Sequence, residues 1–474
     1  MDLLDRIRAT VRRHDLARPD TRVLAAVSGG PDSVALCWLL RDLHQAGDLR
    51  FVGVAHLNHR LRPDAAQDEA FCSALASELG VPFEAGAADV RALAARDGIS
   101  IEAAAHLVRH RFLRDAADGM GAERVALGHT LDDQAETVLL RLLRGAGLKG
   151  LAGMHPRNGV FVRPLIDVRR AALRDLLEST GRPFRLDPTN ADRTIPRNRI
   201  RADLLPWLAR EFNPRIAEVL AVEAELARED WRFVDDAARQ LIREAAVQAG
   251  DAWRVEAAAV AAAPKAVGRA ALRLLMEQLA GGRPTGLQHV EGALQLCRRP
   301  GGAIDLPGHR VERLDGAVVL TSRRAKRGRE SGGSTGGEAF EYELDIPGEV
   351  AVPEAFCTVS AQPRESAAGL EGSVGGRGET AVVDPCRLEG PFRVRSRRPG
   401  DRLTLPGLRG RKKLQDLFVD RKVPRGRRDR VPLVVDRHDR IVWVPEHAVA
   451  SEFRVTDPAQ AVIILRLKVW GGSA

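Results

Sequence analysis

A strand-like run, Arg22-Val23-Leu24-Ala25-Ala26-Val27, passes with no linker into Ser28-Gly29-Gly30-Pro31-Asp32-Ser33, and then into a helix predicted over residues 34–42. Two adjacent glycines at that junction permit backbone conformations and close approaches that other residues resist. Backbone N–H groups at the start of such a helix face outward and favour a negatively charged group, above all a pyrophosphate. Ser28 and Ser33 add hydroxyl donors, and Asp32 can hold Mg²⁺ or position the loop. Neither GxxxxGK[ST] nor GxGxxG is present, so the Walker A loop and the dinucleotide fingerprint are both excluded. Taken alone, the two glycines also admit the reading of a mere tight strand–helix turn.

The surrounding pattern alternates. Strands are predicted at residues 51–56, at 81–83 and at 124–128, with helices at 102–117 and 132–143. Short connections in the order βαβα imply an α/β fold with a doubly wound parallel sheet, in which ligands bind beyond the carboxyl ends of the strands. From Asn213-Pro214 the chain becomes Ala- and Glu-rich. Val219, Val222, Leu226, Phe233, Ala237 and Leu241 recur at helical spacing, predicting a helical stretch to about residue 299. Short alternating runs follow from 301. Residues 323–338 and 369–378 have the Gly-rich composition of linkers, and strands with at least one helix are expected over 381–470. The predicted organisation is therefore 1–212, nucleotide-binding and catalytic; 213–300, helical; 301–380, strands and turns with linkers; and 381–474, a small basic α+β domain.

Composition narrows the class. The 474 residues suggest two to four domains, and 44% hydrophobic residues exclude a disordered chain. No apolar run approaches the ~18 residues of a membrane span, and the charged, amphipathic start argues against secretion. Five scattered cysteines without a CxxC pair fit a reducing cytoplasm and offer no zinc or iron–sulfur framework. Net charge is +9, yet residues 391–430 alone carry 15 Lys or Arg against 4 Asp or Glu, leaving the rest of the chain slightly acidic. A local basic block points to a polyanionic partner. With only 4% aromatics, charge rather than base stacking must dominate that affinity.

SGGPDS after an N-terminal strand resembles the PP-loop ATP pyrophosphatases. Ala55-His56-Leu57-Asn58-His59-Arg60-Leu61-Arg62, His129-Thr130-Leu131-Asp132-Asp133-Gln134-Ala135-Glu136-Thr137, Leu142-Leu143-Arg144-Gly145-Ala146-Gly147, Asp187-Pro188-Thr189-Asn190 and Arg197-Asn198-Arg199-Ile200-Arg201 are similar to motifs of the tRNA(Ile)-lysidine synthetases. So are Glu102 with Arg109, and, far downstream, Arg397-Arg398-Pro399-Gly400-Asp401-Arg402, Lys412-Lys413-Leu414 and Ile441-Val442-Trp443-Val444. The chain departs from that pattern in three places. Thr130 stands for a second His, His106 and His110 stand where Arg and Tyr are more usual, and Pro445-Glu446 replaces a common Gly.

The resemblance implies an ATP-dependent, Mg²⁺-using ligase. Such an enzyme adenylates the C2 oxygen of the wobble cytidine in a CAU-anticodon isoleucine tRNA. It then displaces AMP with the ε-amine of free lysine, giving lysidine. It implies ATP binding by Ser28, Gly29, Gly30, Pro31, Asp32 and Ser33, with Asp32 as the metal-facing residue. His129, Asp133 and Glu136 are assigned to lysine binding and attack, because a helix beginning at His129 would bring all three within about 60° of one face. A carboxylate pair can grip an ammonium, and a nearby His can relay a proton at neutral pH. In isolation Asp132, Asp133 and Glu136 also read as stabilisers of a helix N-terminus, a reading that the preceding strand and SGGPDS weaken. Arg109 and Arg201 are candidate catalytic residues and phosphate clamps. Asn190 and Asn198 are candidate substrate contacts, and Arg397, Arg398, Arg411, Lys412 and Lys413 candidate tRNA contacts. Each also reads as a surface ion-pair or turn residue. His59 reads as either pocket lining or a satisfied core residue. Three alternatives remain at this level: a PP-loop tRNA thiolation enzyme, a synthetase-type amidation and a non-catalytic tRNA-binding protein. Missing cysteine pairs and a missing glutaminase unit count against the first two. A homodimer is left open, and no membrane partner is expected.

Overall fold

The computed structural model describes residues 2–58, 65–186, 192–250, 252–322, 339–367, 378–408, 410–457 and 459–470. The chain falls into two compact units, Met1–Arg232 and Phe233–Ala474.

The first unit opens with α1 (Leu3–Arg13), β1 (Arg22–Ala26), α2 (Pro31–Gln45), β2 (Arg50–Asn58), α3 (Ala65–Leu79) and β3 (Phe83–Ala87). Next come α4 (Val90–Asp97), α5 (Ile101–Gly119), β4 (Arg124–Ala126), α6 (Leu131–Leu143), α7 (Leu148–Leu151), β5 (Arg157–Asn158) and β6 (Phe161–Val162). It closes with α8 (Arg170–Ser179), α9 (Pro196–Arg199), a π-helical turn (Ile200–Leu204), α10 (Leu205–Glu211) and α11 (Ile216–Ala245), within which the division between units falls. The sheet order is β3-β2-β1-β4-β6-β5, parallel except for β5. This is the doubly wound sheet read from the alternation. Strand order reverses between β1 and β4, so the crevice of the switch point opens beyond their carboxyl ends. Leu24 and Ala25 in β1 and Val125 and Ala126 in β4 are fully buried, as the centre of a sheet covered on both faces requires.

In the second unit, β7 (Ala246–Ala249), β8 (Ala252–Glu256), α12 (Ala257–Ala262), α13 (Lys265–Leu279), α14 (Leu287–Arg298), β9 (Gly302–Leu306), β10 (His309–Leu314) and β11 (Ala317–Ser322) come first. The sheet order β7-β8-β11-β10-β9 joins strands from both sides of residue 300 around one core that includes Val255, Leu272, Val290 and Val318. The stretch expected to be helical to 299 thus contains a hairpin. A boundary at 300 would cut one sheet in two. The remainder comprises β12 (Glu341–Leu344), β13 (Gly348–Val352), β14 (Cys357–Arg364), β15 (Thr380–Val383), β16 (Phe392–Arg395), β17 (Arg402–Thr404), β18 (Arg411–Lys413), α15 (Leu414–Asp420), α16 (Arg425–Arg428), β19 (Leu433–Val435), β20 (Ile441–Val444), β21 (Ala448–Val449) and β22 (Val462–Val469). Here too a boundary at 380 is crossed: β12 pairs with β16 and β14 with β22, around a core centred on Trp443, Phe418 and Phe453.

The apolar stripe read into the start of α11 also differs from expectation. Val219, Val222 and Leu226 are exposed. The predicted linker at 323–338 lies outside the described residues, as does all but Gly378 of 369–378.

Candidate active site

β1 ends in the loop read from sequence. Gly29 has φ +82°, a left-handed conformation that an L side chain adopts only under strain. Gly30 is the extended N-cap residue of α2, and Pro31 occupies its first turn. Two hydroxyls tie the loop to itself: Ser33 Oγ donates to the Gly30 carbonyl at 2.9 Å and accepts the Ser28 N–H at 3.2 Å. Ser28 Oγ lies 3.3 Å from Ser33 Oγ. Just past β4, Gly128 lets the two strand ends approach. A Cβ there would sit 3.1 Å from both Cα and N of Ser33. The loop therefore lies at the switch point with α2's N-terminus aimed beyond the sheet.

Across the crevice, α6 begins at Leu131 rather than at His129. Thr130 is its N-cap, in a reciprocal capping box with Asp133. Thr130 N–H and Oγ1 donate to Asp133 Oδ2 at 2.9 and 2.8 Å, and Asp133 N–H donates back to Thr130 Oγ1 at 3.3 Å. The position that departs from the family's second His thus sets the orientation of Asp133. His129 stands in the β4–α6 loop and shares no helical face with Asp133 and Glu136. Because Thr130 is the cap, the helix cannot extend back to His129, and only Asp133 and Glu136 lie on it.

Asp133 and Glu136 are buried, and three guanidinium groups enclose them. Arg170 reaches Asp133 Oδ1 at 2.9 Å, Glu136 Oε1 at 3.3 Å and Asp32 Oδ2 at 3.0 Å. Arg197 meets Asp133 at 3.0 Å and Glu136 at 2.9 Å. Arg201, on the π-helical turn, meets Glu136 at 2.6 Å and Asp133 at 3.2 Å. Burial alone raises the Asp133 carboxyl, but Arg170 and Arg197 overcome it and hold it at about 2. Asp132 turns the other way, accepting the Arg170 N–H at 2.7 Å and pairing with Arg169 at 3.1 Å. For Asp32 burial prevails over Arg170 and raises its pKa. Its Oδ1 is buried without a hydrogen-bond partner among the described residues.

His129 Nδ1 accepts from Arg163 Nε at 3.2 Å. Burial, followed by the charge of Arg163, lowers the ring to about 3, so it stays neutral through the physiological range. A ring held neutral in this way differs from the relay that takes up a proton near pH 7. Arg109 lies half-buried on α5, and its Nε has no partner among the described residues. Burial and the neighbouring Arg197 disfavour its charge. Asn198 is buried and donates to the Asp192 carbonyl at 2.9 Å, an arrangement that shapes the approach to α9. Asn190 and His59 lie outside the described residues. Sequence reasoning missed Arg163, Arg170 and Arg197. Arg197 was legible as the first residue of the Arg197–Arg201 motif, whereas nothing local marks the other two.

The basic block resolves into two populations. Arg395 is 1% exposed and forked onto Asp401 at 2.9 and 3.0 Å, a structural ion pair. Arg397 pairs with Asp429 at 2.6 Å, Arg398 with Asp439 at 3.1 Å and with Glu341, and Lys412 with Asp420. In the β17–β18 ribbon, Arg402 stands opposite Lys413, and Leu403 opposite Lys412. Leu403 is buried, so alternation turns Lys412 to the inner side and Arg402, Arg411 and Lys413 outward. Those three are exposed, and none has an ion-pair partner among the described residues. Arg402 is the member that sequence reasoning left out.

A doubly wound sheet with SGGPDS at its switch point defines a PP-loop ATP-binding enzyme of the ligase type. The PP-loop domain model matches residues 4–208, and the TilS substrate C-terminal domain model matches residues 392–467. A tRNA(Ile)-lysidine synthase of Symbiobacterium thermophilum is 38% identical, covering 94% of this chain and 93% of its own length. One from Geobacillus kaustophilus is 32% identical over 98% of each. A crystal structure of a TilS C-terminal domain is 31% identical, covering 29% of this chain and all of that one, with a TM-score of 0.26. The chain belongs to the tRNA(Ile)-lysidine synthase family. Among the described residues, no helix is long and apolar enough to cross a membrane.

Proposed function

We propose that the protein ligates free L-lysine to C2 of the wobble cytidine in a CAU-anticodon isoleucine tRNA, at the expense of ATP. A 2-oxo group on cytosine is amide-like and leaves poorly, so one hard substitution is divided in two. First, the cytidine O2 attacks the α-phosphate, forming an O–P bond as pyrophosphate departs. Second, the lysine amine, having given its ammonium proton to solvent, forms the C2–N bond. The C2–O bond breaks, and AMP carries the oxygen away. The observation that carries this reading is the juxtaposition at one switch point of a phosphate loop at Gly29 and Gly30 with a buried Asp133–Glu136 pair, bridged by Arg170.

In this reading, the N–H groups of residues 28–33 receive the polyphosphate, where they stabilise charge without reorganising. Asp133 and Glu136 take the amino groups of lysine, which has to displace guanidinium groups that become free for phosphate. Asp32 suits Mg²⁺ because one of its oxygens is buried and unpartnered at the loop; the ion, when bound there, neutralises phosphate charge. The outward ribbon residues Arg402, Arg411 and Lys413 hold tRNA by its phosphates, which position the polymer without reading its sequence. The cytoplasm is the proposed compartment, and the exposed Val219, Val222 and Leu226 stripe supports a homodimer.

Incubation with labelled lysine, ATP, Mg²⁺ and CAU-anticodon tRNA tests the proposal. Lysine transfer with AMP release is expected. Asp133→Asn is expected to abolish transfer while ATP binding survives. Sulfur incorporation, or no ATP turnover at all, refutes it.

A further inference from the structure

We infer that Arg163 is a positioning residue that fixes His129 as a neutral imidazole carrying its proton on Nε2, so that His129 donates a hydrogen bond in the site instead of accepting a proton. The inference about His129's part in the reaction rests on the proposed function; the tautomer does not.

A guanidinium has only N–H donors and no acceptor. Its Nε donates to His129 Nδ1 at 3.2 Å, so Nδ1 must present a lone pair, and the ring's one proton sits on Nε2. Arg163 is itself immobilised. Its guanidinium donates to the His155 carbonyl at 2.6 Å, its backbone N–H donates to the Pro156 carbonyl at 2.8 Å, and the residue is 8% exposed. It follows directly on β6, at the carboxyl end of the sheet beside the β4–α6 loop. Its position is therefore set by the same sheet that carries the phosphate loop.

Each charged group facing the ring comes from a different element. Arg163 follows β6, Arg109 is on α5, Arg197 on α9 and Asp133 on α6. Three cations against one carboxylate, itself held by Arg170 and Arg197, disfavour imidazolium. Nε2 has no hydrogen-bond partner among the described residues, and the residue as a whole is half-buried. A donor in that setting suits an oxyanion: a phosphoryl oxygen of the adenylate or the carboxylate of lysine. Fixing the partner of one ring nitrogen to define what the other does is a familiar use of surrounding hydrogen bonds.

The test uses the full-length protein with ¹⁵N-labelled histidine and long-range ¹H–¹⁵N spectra, His129 being assigned from the signal lost in His129→Gln. An unprotonated Nδ1 and a protonated Nε2 are expected, unchanged across about pH 5–8. Arg163→Met is expected to yield a mixture of tautomers. A wild-type ring protonated on Nδ1, or doubly protonated near neutrality, overturns the inference without any variant having to fold. So does an unaltered signal in Arg163→Met. Added AMP and added lysine, tested separately, distinguish the two oxyanions by which one shifts Nε2; a shift with neither overturns the donor role. In the transfer assay, His129→Gln retains an amide donor and is expected to exceed His129→Ala by about tenfold in kcat, the loss of one oxyanion donor costing more than that in other enzymes. Equal loss in both shows that the ring accepts a proton.

Discussion

Replacing Thr130 by Val removes one hydroxyl and almost no volume from a fully buried site. That hydroxyl has two jobs. It caps α6 by accepting the Asp133 N–H, and it donates to the Asp133 carboxylate at 2.8 Å. Loss of an N-cap costs about 1 kcal/mol, and loss of a hydrogen bond to a charged group about 1.5–3 kcal/mol. Both bonds pass through one atom and are not independent, so a combined cost of about 2–3 kcal/mol is expected. For a unit of this size, each kcal/mol moves the midpoint by about 2–4 °C, so Tm should fall by about 4–12 °C in a calorimetric scan. Catalysis should respond selectively. The Thr130 N–H still holds Asp133 Oδ2, and the arginines still hold Oδ1, so the carboxylate stays charged but is less firmly directed. The KM for lysine should rise about tenfold, equivalent to ~1.4 kcal/mol, with KM for ATP within about twofold. Thr130→Ser keeps the hydroxyl and should recover most of both losses. A Tm within one degree of the parent's, or equal rises in both KM values, would refute the reasoning that this cap orients the lysine-facing acid.

Three further outcomes are expected. Gly128→Ala forces a methyl against the Ser33 backbone at 3.1 Å, which cannot give way as a side chain can; ATP affinity measured by calorimetry should drop at least about tenfold, and unchanged affinity would show that the loop does not need this approach. Asp133 sits at about 2 in the fold against ~3.9 in an unfolded chain, so its contribution to stability is complete above about pH 5 and is lost as pH falls through 2. Denaturant midpoints should decline across that window, with Asp133→Asn flattening the decline; an equal slope in both contradicts the pairing. Joint replacement of Arg402, Arg411 and Lys413 by Ala should weaken tRNA binding and reduce the slope of log K against log salt by about 2–3. Lys412→Ala, whose charge is already committed to Asp420, should change neither; if it matches the triple variant, the outward face has been misidentified.

The phosphate loop was legible because its residues are contiguous, and strand, glycines and helix each announce themselves locally. Asp133 and Glu136 were legible for the same reason. His129 was not. Whether a helix starts at 129 or 131 depends on whether Thr130 caps it, and a Thr before Leu-Asp-Asp fits either reading until the Asp133 side chain is seen to turn back. The arginines were hidden by distance along the chain. Arg163 and Arg170 acquire meaning only when β6 and α8 are laid beside β4 and α6. The hairpin β7–β8 was masked by an Ala-rich context in which neither period dominates. In the basic block, counting charge overstated free charge, since acids as remote as Glu341 and Asp439 fold back onto Arg393, Arg395 and Arg398.

The arginines also explain how acids so deeply buried persist. Asp32, Asp133 and Glu136 meet Arg170, Arg197 and Arg201 in one connected cluster, three negative groups against three positive. A carboxylate stripped of water and left alone costs several kcal/mol, so any ligand entering here must replace each partner it displaces. The proposed substrates meet that condition together and not separately. Lysine brings ammonium groups for Asp133 and Glu136, while ATP brings phosphates for the guanidiniums that lysine turns out. Lysine alone would strand arginines, and ATP alone would strand carboxylates. Tight lysine binding is therefore expected only in the presence of the nucleotide, with the same coupling factor for ATP in the presence of lysine. Calorimetric titration of lysine with and without a non-hydrolysable ATP analogue measures that factor. Equal affinities in the two titrations would show that the two ligands do not trade partners in this cluster.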